Sequence, residues 1–158
     1  MTDVSRGDHV ASVRREIRIA RPADEVWRVV GRPDLLHHWF PGMSDCTVST
    51  VNGVTTRVIV VGAGIPMPEE ILLNDGLQRR FQYRLTVPTF TYHRGTIDVI
   101  ELGADDCLVV YATDCIPNAM ALVIGGATGG ALEALAAQCA AGDGPALRAA
   151  GITAPQEA

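Results

Sequence analysis

The chain has little of what announces most chemistries. It contains no P-loop and no G-x-G-x-x-G after a strand, so the usual glycine cradles for nucleotide phosphates are missing. It has no zinc spacing: His37 and His38 are adjacent, their side chains diverge on a helix, and no third ligand is suitably placed. Neither a metal nor an organic cofactor is therefore expected. Its four cysteines, Cys46, Cys107, Cys115 and Cys139, form no C-x-x-C pair. Cys107 and Cys115 fall on one strand, roughly 26 Å apart if extended, too far to bridge. All four are read as reduced, buried, small hydrophobes. There is no basic run, aromatics are only 5% of residues, and the net charge is −5, which together argue against nucleic acid or anionic membrane as partner. The first 15 residues, MTDVSRGDHVASVRR, lack the apolar centre of a signal peptide, so a soluble cytoplasmic protein is expected.

What is present is ordinary globular material, 47% hydrophobic and 20% charged over 158 residues, enough for one domain with a sizeable core. Residues 118–142, NAMALVIGGATGGALEALAAQCAAG, stand out. They follow Pro117, stop at Gly142, and carry a single charge at Glu133. Ile124, Thr128, Ala131, Leu135 and Cys139 recur at helical steps. The glycine pairs 125–126 and 129–130 each weaken such a helix by roughly 1 kcal/mol per glycine relative to alanine. A helix of this kind needs cover from the rest of the chain. It is long enough to cross a membrane, but its Ala and Gly content and the lack of aromatic or basic anchors favour a core helix, not a membrane span.

The remainder reads mostly as strands. Residues 10–20 alternate, with Val13, Ile17 and Ile19 on one face, and Arg15 falls on that apolar parity. Pro22 opens a short helix over 22–31, and a second helical turn covers 33–40, with Trp27 and Trp39 expected to pack the closed end. Strands follow at 45–51 and 54–61, joined by Asn52-Gly53, a strong hairpin signal. Residues 62–68, GAGIPMP, read as irregular, followed by strands at 69–73, 79–87, 91–102 and 107–115. Residues 1–8 read as loose and 143–158 as a weakly ordered tail beyond a single domain, 1–142. One strand, two short helices, six strands and a long helix imply an α+β domain: a curved, seven-stranded antiparallel sheet wrapped around the C-terminal helix.

That order, with the strings REIRIARPADEVWRVV, LLHHWFPGMSDC and EEILLNDGLQRRFQY, resembles the helix-grip superfamily over residues 10–141. Its members include START lipid-transfer domains, birch-pollen-allergen-like proteins and bacterial polyketide cyclase/dehydrase-like proteins. The resemblance implies an apolar cavity between sheet and long helix, and a hydrophobic small-molecule partner, lipid or polyketide-like. The small residues of 125–137 are expected to leave that volume open. In the related plant abscisic-acid receptors a Gly-Leu-Pro lid closes the pocket; Gly64-Ile65-Pro66 with Met67 takes that place here, and Phe90 falls in the second closing loop.

Polar candidates follow from parity. Glu69, in phase with Ile71 and Leu73, is either an inward anchor for a ligand hydroxyl or amine, or a rim carboxylate in solvent. His93 lies on the inward parity of its strand and is either a ligand or acid–base group or a satisfied core histidine. Arg15 and Arg57 share apolar parity; turned inward, either could pair with Glu69 or a ligand carboxylate, but rim exposure with a snorkelling stem is expected for both. In the last strand, Tyr111 and Asp114 lie on opposite faces and parity does not choose between them. Phe81, Tyr83, Ile124, Thr128 and Leu135 complete the expected lining. Three functions are compatible: a binding protein; a cyclase/dehydratase using His93 with Glu69 or Asp114 to move protons; and a protein-partner module, which needs an exposed apolar patch. A monomer or homodimer is expected.

Overall fold

The computed structural model describes residues 9–152. The elements run β1 (Ala11–Ile19), α1 (Ala23–Val30), a 3₁₀ turn (Pro33–His38), β2 (Met43–Val51), β3 (Val54–Val61), β4 (Ile65–Asp75), β5 (Arg80–Leu85), β6 (Tyr92–Gly103), β7 (Asp106–Ile116), α2 (Met120–Ala141) and α3 (Pro145–Ala149). The strands form one antiparallel sheet in the order β1-β7-β6-β5-β4-β3-β2. β1 and β2 are thus opposite edges, and α1 with the 3₁₀ turn carries the chain between them. This is the expected α+β architecture, with the two short helices where the sequence puts them.

Local chemistry explains most of the frame. Asn52 and Gly53 both have positive φ, the conformation a two-residue hairpin needs to match strand twist. β7 alternates without a break, burying Cys107, Val109, Tyr111, Thr113 and Cys115. Tyr111 therefore faces inward and Asp114 outward. α2 lies against β1 and β7, burying Ala121, Gly125, Thr128, Ala131, Leu132, Leu135 and Cys139. It ends at Gly142, whose φ of 70° suits the left-handed cap. α2 is long and apolar enough to cross a membrane, but in this fold its packed face is the one set against the sheet.

In its frame the structure departs from the sequence reading at the expected lid, at Leu73, in the tail and at the glycines of α2. The segment expected as an irregular lid is mostly strand: β4 starts at Ile65, and Pro66 and Pro68 pair with Val60 and Val58 of β3. The Pro68 carbonyl accepts from Thr86 N at 3.1 Å, on the side away from β3. Residues 66 and 68 turn their backbone groups to that side, so their missing N–H groups break no bond to β3. Only residues 62–64 remain as a turn, and Ile65, at the hairpin tip, is 59% exposed.

Leu73, expected in phase with Glu69, is turned out by a bulge at Leu72, after which Asn74 faces inward and bonds the Gly31 carbonyl at 2.8 Å. The tail is ordered through residue 152. α3 buries Ala146 and Leu147, Ile152 is buried beyond it, and Gln138 ties the segment down by donating to His38 O and accepting from Ala146 N. A five-residue helix is too short to show periodicity. The loose reading of 1–8 and the remainder of the tail, 153–158, lie outside the described residues.

The glycines of α2 are not what leaves space beneath it. A Cβ on Gly125 would lie 2.7 Å from Val13 Cγ2, and one on Gly129 would meet the Arg15 stem at 3.6 Å. They let β1 approach the helix, and Arg15 lies across them with its head exposed, as a snorkelling residue does. A Cβ added to Gly126 or Gly130 would meet nothing within 4 Å. Replacing either with alanine should therefore raise stability by about 1 kcal/mol, whereas Gly125→Ala should lower it by about 1–2 kcal/mol through overpacking. Urea unfolding of the three single variants checks this, and stabilisation by Gly125→Ala would contradict the packing described.

Candidate functional site

Between the concave face of the sheet and α2 lies a pocket of about 160 Å³. Its walls are Leu36, Phe40 and Met43 from the connection between β1 and β3, Ile59 and Val61 of β3, Met67 and Glu69 of β4, and Tyr83 and Leu85 of β5. His93, Tyr111, Ile124, Ala127 and Thr128 complete it. Of the residues singled out in the sequence, Glu69, Tyr83, His93, Tyr111, Met67, Ile124 and Thr128 come together here. Phe81 and Leu135 are buried in the core without lining the pocket, Ile65 is at the exposed hairpin tip, and Phe90 packs edge-on against His93 at 5.2 Å in a separate surface groove. Asp114 lies on the opposite face of β7 from the pocket, which removes it as an acid–base partner in it.

One rung of the β3–β4 ladder sets the polar character of the site. Arg57 and Glu69 are directly opposed, and both side chains are out of water, at 2% and 3% exposure. Arg57 Nε donates to Glu69 Oε2 at 2.7 Å, and Nη2 lies 2.5 Å from the same oxygen. Arg57 Nη1 donates to the Pro33 carbonyl at 3.3 Å, and the guanidinium carbon lies 5.3 Å and 5.1 Å from the ring centres of Phe81 and Tyr83. The expectation of a rim arginine at position 57 is overturned: alternation places it inward, and the partner directly across the ladder makes that burial tolerable. Burial pushes the Glu69 carboxyl above the usual range while Arg57 pulls it back. Arginine keeps its proton, and the two short contacts on Oε2 are the geometry of a guanidinium–carboxylate ion pair.

His93 is fixed just as firmly. Where β5 ends, the Leu85 N–H donates to His93 Nδ1 at 3.0 Å. A neutral imidazole accepting at Nδ1 carries its hydrogen on Nε2. Burial holds the ring neutral, its pKa pushed down to about 4. Tyr83 and Tyr111 share one hydrogen bond between hydroxyls, 2.7 Å, and burial pushes both phenols up. Tyr83 is seated over Gly95, where any Cβ would come within 2.3 Å of its ring. Thr128 Oγ1 donates back to the Gly125 carbonyl at 3.3 Å. Among the described residues, no three His, Cys, Asp or Glu side chains cluster to hold a metal.

Residues 10–141 match the model of the polyketide cyclase/dehydrase and lipid transport family. The chain belongs to that family. Solved structures of similar fold agree. A Thermobifida fusca protein is 30% identical, with 82% of this chain and 93% of that one covered and a TM-score of 0.71. The Zhui aromatase/cyclase of a Streptomyces species is 19% identical, covering 84% and 94%, at a TM-score of 0.69. A START superfamily protein of Mycobacterium smegmatis is 16% identical, covering 82% and 97%, also at 0.69. Among curated proteins, none matches the chain significantly in sequence.

For this member of the family, sequence reasoning missed part of the wall. Ile59 and Val61 share parity with Arg57 and were within reach of it. Phe40 and Met43 flank Pro41-Gly42, where no period operates. Leu85 shares parity with Phe81 and Tyr83 and was likewise within reach, whereas Ala127 carries no distinguishing signal.

Two outcomes follow from the fixed polar groups. Arg57→Leu, or Glu69→Met alone, should destabilise by about 3–5 kcal/mol by orphaning the other charge, while the double variant recovers most of the loss. A double-mutant cycle in urea measures this, and additive losses would contradict the pairing. His93 in the folded chain takes its proton only near pH 4, whereas the unfolded chain does so near 6.5. Its contribution is therefore intact above about pH 6.5 and lost as pH falls towards 4, by at most about 3 kcal/mol. His93→Asn, which keeps an acceptor for Leu85 N–H, should flatten that part of the stability–pH curve.

Proposed function

We propose that the chain binds a small apolar molecule in the pocket between the sheet and α2. The observation that carries this reading is a volume of about 160 Å³ walled by mostly apolar side chains from many elements, with its few polar groups individually fixed. Apolar walls with a few placed polar groups are the general form of a small-molecule site. Membership of a family described by polyketide cyclisation and lipid transport supports the same reading.

A cyclase/dehydratase acting through His93 and Glu69 finds less support in the geometry. A general base must offer a free lone pair near the proton it removes. The His93 lone pair is engaged by Leu85 N–H and its free side bears hydrogen, which leaves Glu69 Oε1 as a lone acceptor without the second titratable group that such a mechanism needs. All 13 basic residues are arginines, so no lysine is present for Schiff-base chemistry. The polar groups are arranged to hold a ligand, with His93 donating and Glu69 accepting. The protein-partner reading draws on Leu122 and Val123, exposed on α2 beside the site, which make a narrow patch.

Native mass spectrometry of protein purified from its own host, with denaturing extraction of any bound molecule, tests the proposal. A stoichiometric apolar molecule is the expected result. Ala127→Phe, which fills the pocket from the α2 side, should abolish carriage of that molecule while leaving the fold intact by circular dichroism. A clean apo mass without uptake of apolar dyes would overturn the reading.

A further inference from the structure

The pocket is too small for a long chain and too particular for an arbitrary hydrocarbon. Its volume, about 160 Å³, resembles the roughly 150 Å³ apolar cavity that accommodates one benzene ring. It falls below the roughly 300–1,000 Å³ of sites for drug-sized ligands. Among the described residues its walls hold no arginine, and the sequence has no lysine. Arg57 lies behind Glu69, with Nε and Nη2 both set against Oε2 of that carboxylate and Nη1 given to the Pro33 carbonyl. A ligand carboxylate would thus meet Glu69 with no cation in the described wall to receive it. The Arg57–Glu69 pair is already neutral, so an added charge would stay uncompensated where water is scarce.

A neutral hydroxyl meets different conditions. Glu69, almost wholly buried and lining the pocket, receives its Arg57 contacts on Oε2 alone, leaving Oε1 as an acceptor. A hydrogen bond from a hydroxyl to an ionised carboxylate is of the strong, charge-assisted kind. His93 Nε2–H supplies a donor to the same hydroxyl or to a second oxygen on the ring. Resting on the binding reading above, we infer that the site selects a neutral, single-ring alcohol or phenol, and rejects the carboxylate of the same shape.

Isothermal titration of the native protein at pH 7 with 4-ethylphenol, ethylbenzene and 4-ethylbenzoate tests this. The phenol should bind at least tenfold more tightly than the benzoate and several-fold more tightly than the hydrocarbon. Glu69→Gln, which leaves the Arg57 cation without its counter-charge, should abolish the phenol's advantage over benzoate or reverse it, and leave ethylbenzene unchanged. If that variant does not fold, the ratios in the native protein decide alone. Benzoate binding as tightly as phenol, or ethylbenzene binding equal to phenol, would overturn the ligand class while sparing the pocket as a binding site. Failure of all three rings to bind would overturn both.

Discussion

The charged centre of this interior is one buried ion pair, Arg57 with Glu69. Taking a guanidinium and a carboxylate out of water costs several kcal/mol per ion, and the attraction between them offsets that cost only with good geometry and further partners. Arg57 has both: Glu69 directly across the ladder, the Pro33 carbonyl from the 3₁₀ turn, and the rings of Phe81 and Tyr83 on β5. The pair thereby ties β3, β4, β5 and the connection from α1 to one point. It also makes the β3–β4 register costly to change, since a slip of one residue would turn both side chains to the opposite face. Specificity of pairing is a better account of this arrangement than net stability.

His93 and Thr128, two further polar members of the wall, are held by backbone, while Tyr83 and Tyr111 hold each other. His93 accepts from the Leu85 N–H where β5 has run past its last pair with β6, so the imidazole stands in for a neighbour on that side. That one bond decides its tautomer and, with burial, its charge. The same residue that looks catalytic by type is, by placement, a neutral donor. This is why function is argued from the site and not from the fold.

The frame was readable in the sequence because its signals were local and redundant. Alternation, the Asn52-Gly53 turn and the helical recurrence from Ile124 to Cys139 each fix an element alone. Where the reading failed, a second element decided the matter. Pro66 and Pro68 look like loop residues until β3 is beside them and their backbone groups point away from it. Parity left Arg57 open between the rim and an inward pairing with Glu69, and the strand register decides for the pairing. Leu73 was lost to a bulge that no period anticipates, and Asp114 lost its catalytic candidacy because β7 buries Tyr111. Of the site itself, the polar members were legible by type and parity, whereas Phe40, Met43 and Ala127 entered only through three-dimensional closure.

The origin of the pocket shows the same logic. Small residues on α2 invite the inference that they leave room, yet Gly125 and Gly129 are filled by Val13 and the Arg15 stem. The open volume lies along Ile124, Ala127 and Thr128, one side of the helix further round, against β3 to β6. Close approach of β1 on one flank of α2 leaves the far strands to curve past the other, so the glycines shape the pocket by where they let the helix sit. A larger residue at 125 would have to push α2 away from β1 or displace Val13, and either shift changes the gap that a ligand would occupy. The pocket's size is therefore set by backbone approach on one flank and by a buried ion pair on the other, with the apolar side chains filling what lies between.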